Sequence, residues 1–187
     1  METLLSLCVG VGLSAACGFR VFVPLLFTSI AALSGHLTLS AGFGWIGTYP
    51  ALIAFALATV LEIAGYYIPW LDHFLDTLST PAAIVAGTII TASQVHDMTP
   101  FLKWTLALIA GGGAAASVQG LTVLARGASL VSTGGLANPI VATAELGGSI
   151  LTSVLAVFIP IVAVLGLAGF AFVAVTTART RPARRAA

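Results

Sequence analysis

Arg20 stands in "CGFRVFVP" (17–24), within a long stretch that is otherwise almost wholly apolar. A guanidinium carries five N–H donors and no acceptor. In the middle of a hydrocarbon-spanning helix a charged side chain costs roughly 2.5–3.5 kcal/mol on insertion scales, so it faces an interior and takes a partner there. Glu62, midway along the next apolar stretch, is the natural partner. Such a pair has two chemical readings: an anion-attracting group in a solute pathway, or a structural ion pair that fixes helix register. A third possibility is that Arg20 extends to the membrane surface. Further along, Arg126 and Glu145 bracket a Gly-rich segment and can close it by pairing. That segment contains "STGGLANP" (132–139), in which the amide of Asn138 can bond main-chain groups. The substrate-binding candidates are therefore Arg20, Glu62, Asn138 and Glu145.

A second cluster is looser. Asp72 and Asp76 are four residues apart and share a face if the chain is helical there, while His73 points elsewhere. Carboxylates with an imidazole can hold a divalent cation or relay protons, so Asp72, His73 and Asp76 are weak metal candidates. Their spacing matches no established metal motif. The plainer reading is an interfacial turn with Trp70 as its aromatic anchor. A CDP-alcohol phosphotransferase site also uses spaced aspartates, but the rest of that motif is missing. No Ser-His-Asp, Walker, Rossmann or Cys-x-x-Cys pattern appears, and no catalytic residue or cofactor is expected. Cys8 and Cys17 are nine residues apart in one apparent helix, which turns the thiols to opposite sides and argues against a disulfide.

The elements that must hold these groups follow from composition. Of 187 residues 59% are hydrophobic and 7% charged, against about 25% charged in ordinary soluble domains. That balance points to lipid as the solvent. The expected fold is all-α, a polytopic transmembrane bundle of five or six spans with interrupted helices. Residues 1–178 form the transmembrane domain and 179–187 a basic tail. The spans are Leu4–Leu33, broken between Gly18 and Pro24; Ala51–Ile68; Ala82–Val95, with Pro81 at its start; Phe101–Leu124; and Gly147–Ala178, kinked at Pro160. Residues 125–145 read as re-entrant or broken, since non-helical backbone at membrane depth survives only inside protein or beside water. "STGGLANP" is then buried non-helical backbone that approaches the Gly18–Pro24 break, with Arg20 as the clasp. In "GGGAAAS" (111–117), Gly113 and Ser117 suit close helix packing, as do Gly12 and Ala16. "METLL" has no basic residue and reads as part of a membrane segment, not a signal peptide. Arg179, Arg181, Arg184 and Arg185 follow the last span and place the C-terminus in the cytoplasm.

Three motifs, "GLSAACGFRVFVPLL", "PWLDHFLD" and "STGGLANP", come in an order and spacing that resembles a family of small membrane proteins known as domain of unknown function 4126. The likeness runs from about residue 4 to 165. It implies a multi-span membrane protein and supplies no activity; the expected location is the cell inner membrane. The family pattern usually shows an Asp-Lys pair where this chain has Gly65-Tyr66, and often a second acid where it has Leu146. The leading functional expectation is a transporter or channel for a small solute or ion, with a polar interior site at interrupted helices. The alternatives are a non-catalytic scaffold or assembly subunit and a lipid-modifying membrane enzyme. Membrane lipid and the solute are the expected partners, a homo-oligomer is possible, and a net charge of +1 gives no reason to expect nucleic acid.

Overall fold

The computed structural model describes residues 2–180. Within that range the side chains of residues 2, 3, 69–74, 76, 170–175 and 177–180 lie outside the described set, and with them those of Asp72, His73, Asp76 and Arg179. The other tail arginines, Arg181, Arg184 and Arg185, lie beyond the described residues. Among the described residues the chain is all helical. The helices are α1 (Glu2–Cys17), α2 (Phe22–Leu33), α3 (Tyr49–Gly65), α4 (Pro69–Gln94), α5 (Pro100–Leu106), α6 (Gly113–Thr133), α7 (Asn138–Phe158) and α8 (Pro160–Thr180). A π-turn at Ala107–Gly112 joins α5 to α6, so that Pro100–Thr133 runs on as one helix of 34 residues. That helix and Asn138–Phe158 are long and apolar enough to cross a membrane.

α1 is the central element. It packs on α4, α6, α7 and α8, while α2 turns to α3 and α7. The contacts are close because the facing residues are small. A Cβ on Gly111 would run into the Gly87 carbonyl and Thr91, and one on Gly12 would lie 2.8 Å from the Ala156 Cβ. The Ser14 hydroxyl donates to the Gly87 carbonyl at 2.5 Å and lies 2.8 Å from the Thr91 hydroxyl. Gly113, expected at a seam, has open space around it; the close approach falls on Gly111 and Gly112 instead. Cys8 and Cys17 are both free.

The interior mixes apolar residues such as Leu13, Leu25 and Ile90 with many polar ones, and the exterior is rich in large apolar side chains. Ser14, Thr28, Ser29, Thr91, Ser93, Gln94, Gln119, Ser149 and Ser153 are buried, as are Arg20, Glu62, Arg126 and Glu145. The outer surface carries Ile53, Leu57, Leu61, Ile109, Leu124, Val131, Ile140 and Leu151.

The helix boundaries correct three expectations. The third helix starts at Pro69, not at Pro81, and Pro81 lies inside it; Pro69 supplies the helix start that proline favours. Residues 125–145 are not a re-entrant segment. α6 continues to Thr133, residues 134–137 make a turn, and α7 begins at Asn138. The polar residues that argued against a helix, Thr122, Arg126 and Ser129, recur at helical spacing and are buried on its inner face. "STGGLANP" is accordingly not buried non-helical backbone. Gly134, at φ 63°, caps α6 by donating its N–H to the Leu130 carbonyl, and Gly135 (φ 88°) continues the turn. Such left-handed positions favour glycine. Val131 and Leu136 beside the turn are highly exposed.

Candidate functional site

The site begins at the break between α1 and α2. A Cβ on Gly18 would lie 2.5 Å from the Ala115 carbonyl oxygen and 2.8 Å from the Gln119 nitrogen. Only glycine lets α6 approach here. The α1 helix closes with Gly18 N–H donating to the Ala15 carbonyl and Arg20 N–H to that of Ala16. The Ser149 hydroxyl donates to the same Ala16 carbonyl at 3.0 Å. A helix end that is buried needs partners for its free main-chain groups. At the start of α2 those partners come from one side chain. Glu62 Oε1 accepts from the Val21 N–H at 2.8 Å, and Oε2 from the Phe22 N–H at 3.0 Å.

Arg20 therefore takes a partner other than the one its sequence context suggests. Its Nη2 donates to the Ala142 carbonyl at 2.8 Å and lies 3.5 Å from Glu145 Oε2. Glu145 also pairs with Arg126: Nε donates to Oε1 at 2.9 Å and Nη2 to Oε2. The expected Arg126–Glu145 pair is present, and it is a buried fork. The turn at 134–137 explains why. Arg126 lies eight residues before it and Glu145 eight after it, so an antiparallel α6–α7 hairpin sets them level.

Both guanidiniums stand over the ring of Tyr66, with centres 3.8 Å (Arg20) and 4.2 Å (Arg126) from the ring centroid. In the sequence Tyr66 stood out only as part of a departure from the family pattern, not as a site residue. Its signal was its position four residues after Glu62, the spacing of neighbours on one helix face. Arg20 is 2% exposed, and its Nε and Nη1 have no hydrogen-bond partner.

Two cavities flank the break. One, of about 540 Å³, lies between α2, α3 and α4, with Val21, Phe22, Leu61, Glu62, Tyr66 and Ser79 in its wall. The other, of about 180 Å³, is bounded by Phe19, Thr122 and Glu145. Of the four substrate-binding candidates, Arg20, Glu62 and Glu145 converge here. Asn138 opens α7, a turn ahead of Ala142. Among the described residues no three His, Cys, Asp or Glu side chains gather as a metal site.

The family described as "Domain of unknown function (DUF4126)" matches residues 7–180. The chain belongs to this family. The match spans the break, the charge cluster and the α6–α7 hairpin, so every residue of the site lies within the family domain. No curated protein and no solved structure matches the chain.

Proposed function

We propose that the chain is a multi-pass protein of the cell inner membrane, with five or six crossings and a cytoplasmic C-terminus, that carries a small solute recognised at the Arg20–Tyr66–Arg126 cluster. The membrane reading rests on the large apolar side chains of the outer surface and on the hydroxyls, amides and charges buried among the apolar core residues. In lipid an apolar exterior is the solvated one, and small residues let polar helices pack closely. α1 and α2 make one broken crossing, and discontinuous helices are a common way to build a solute site.

One observation carries the solute reading. Arg20 is enclosed by protein yet keeps Nε and Nη1 unpaired. A buried donor without an acceptor is a standing cost of about 1–3 kcal/mol, and more for a charged group. An oxygen ligand would remove it. The α6–α7 turn favours a second reading, a scaffold subunit, because it presents Val131 and Leu136 outward.

The experiment is flux into proteoliposomes from a panel of small organic and inorganic anions. Wild-type vesicles are expected to outpace protein-free vesicles for at least one member. Arg20→Gln is expected to lower that rate at least tenfold. Equal rates with and without protein across the panel would overturn the carrier reading, and a stable complex with another membrane protein in mild detergent would then favour the scaffold.

A further inference from the structure

The contact between Glu62 and the start of α2 has the form of a bound ligand. A single carboxylate places one oxygen on each of two adjacent main-chain N–H groups, at 2.8 and 3.0 Å. This is how a helix N-terminus holds an exogenous anion. The carboxylate here is tethered to α3. Arg20, which directly precedes these donors, is 98% buried and leaves Nε and Nη1 unused. The break thus has more donors than Glu62 consumes. Beside the start of α2 lies a cavity that Arg20 itself does not line. Val21, Phe22 and Glu62 line the space of about 540 Å³, whose remaining wall includes Leu61, Leu75 and Leu78. Small-molecule sites are typically about 300–1,000 Å³ with a few polar groups at one end.

We propose that the N-terminus of α2 with Arg20 is a carboxylate site that Glu62 occupies in the empty protein, and that the solute is a monocarboxylate with an apolar body, which displaces Glu62 as one proton is taken up. The inference rests on the carrier reading for the word solute, and on the geometry alone for the site. The carboxylate of the ligand takes the Val21 and Phe22 N–H groups and reaches toward Arg20. Its apolar body fills the α2–α3–α4 cavity.

The proton follows from the charges. Arg20 and Arg126 balance Glu62 and Glu145. A further carboxylate would leave one net negative charge in an enclosed, weakly screening interior. Protonating Glu62, the group that has just lost its donors, restores neutrality: its carboxylate becomes a carboxyl, and no other bond changes. The new O–H has an acceptor at hand. Thr59, three residues earlier on α3, is buried with its hydroxyl unpartnered, and residues at that spacing are neighbours. The titratable and charged groups around Glu62 are Cys17 of α1, Arg20 of the break, Tyr66 after α3, Arg126 of α6 and Glu145 of α7. On α4, Asp72, His73 and Asp76 have side chains outside the described residues.

The test uses the full chain in nanodiscs. Glu62→Ala is expected to melt at a lower temperature than wild type, with acetate restoring more than half of the loss and the neutral analogue acetamide restoring none. Wild type, which needs no variant to fold, is titrated calorimetrically with N-acetylleucine in buffers of different ionisation enthalpy. The expected result is uptake of one proton per ligand bound, and none in Glu62→Gln. Failure of acetate to stabilise Glu62→Ala beyond acetamide would overturn the site, and ligand binding by wild type without proton uptake would overturn the displacement. Labelled N-acetylleucine in proteoliposomes separates the two claims. Rescue and proton uptake without flux leave the site standing and remove the carrier. Flux of other anions without rescue does the reverse.

Discussion

Glu145 is the residue on which the charge cluster depends. It is 5% exposed and receives Arg126 through two nitrogens and Arg20 at 3.5 Å. At an effective dielectric constant near 20, unit charges 3.5 Å apart attract by about 5 kcal/mol. The two guanidiniums stand over one ring centre at 3.8 and 4.2 Å, so they are at most about 8 Å apart and repel by about 2 kcal/mol or more. Glu145→Gln removes both attractions and leaves the repulsion. The expected loss is about 3–5 kcal/mol, the range for breaking a buried pair from one side. Arg126→Gln combined with Glu145→Gln restores the balance, with Arg20 against Glu62. The double variant should therefore be more stable than Glu145→Gln alone, although it carries one more substitution. The assay is equilibrium unfolding in mixed micelles of a mild detergent and dodecyl sulfate, run as a double-mutant cycle. Coupling of at least about 2 kcal/mol is expected, set by the repulsion that the second change relieves. Additivity to within about 0.5 kcal/mol, as for independent sites, would refute the view that these charges act as one unit.

The other expectations are briefer. Gly18→Ala puts a methyl 2.5 Å from the Ala115 carbonyl oxygen and should cost about 1–3 kcal/mol or more by overpacking. Gly113→Ala meets open space and should stabilise by up to about 1 kcal/mol through helix propensity; the same unfolding assay checks both. Tyr67 and Thr143 have hydroxyls 2.9 Å apart, so cysteines at these positions should crosslink with a short reagent, and absence of the crosslink would contradict the placement of the turn after α3 beside α7. Reporter fusions at Ala187 should be active in the form that reads the cytoplasmic side, because four arginines follow the last apolar stretch.

Part of this arrangement was legible in the residues. Gly18 marked the break, which falls at residues 18–21, and Pro24 sits in the first turn of α2 just after it. Arg126 and Glu145 were legible as a pair because they are equidistant from a Gly-rich turn. Residues 125–133 were misread because polarity was weighed as a bulk property. Thr122, Arg126 and Ser129 lie on one helical face, and in a bundle with a polar interior that face is the one turned inward. The helical start of α4 was missed because the polar residues between Pro69 and Thr80 suggested an interfacial turn.

The partner of Arg20 was not legible, and the reason is one of competition between donors. Glu62 lies close enough to Arg20 for their charges to interact, so a sequence reading that pairs them is reasonable as electrostatics. The break adds competitors that no side-chain inventory shows. The N–H groups of Val21 and Phe22 are fixed in the backbone and cannot turn toward another acceptor. Arg20 can: its long side chain reaches the Ala142 carbonyl and Glu145 on α7. A buried main-chain donor without an acceptor costs about as much as a lost hydrogen bond. One carboxylate with two oxygens satisfies two such donors at once, so it goes to the groups that have no alternative. The guanidinium, which has alternatives, is left with spare nitrogens. A break in a buried helix therefore redistributes the charged partners around it, and the residue it leaves underused is the one to which a ligand can add.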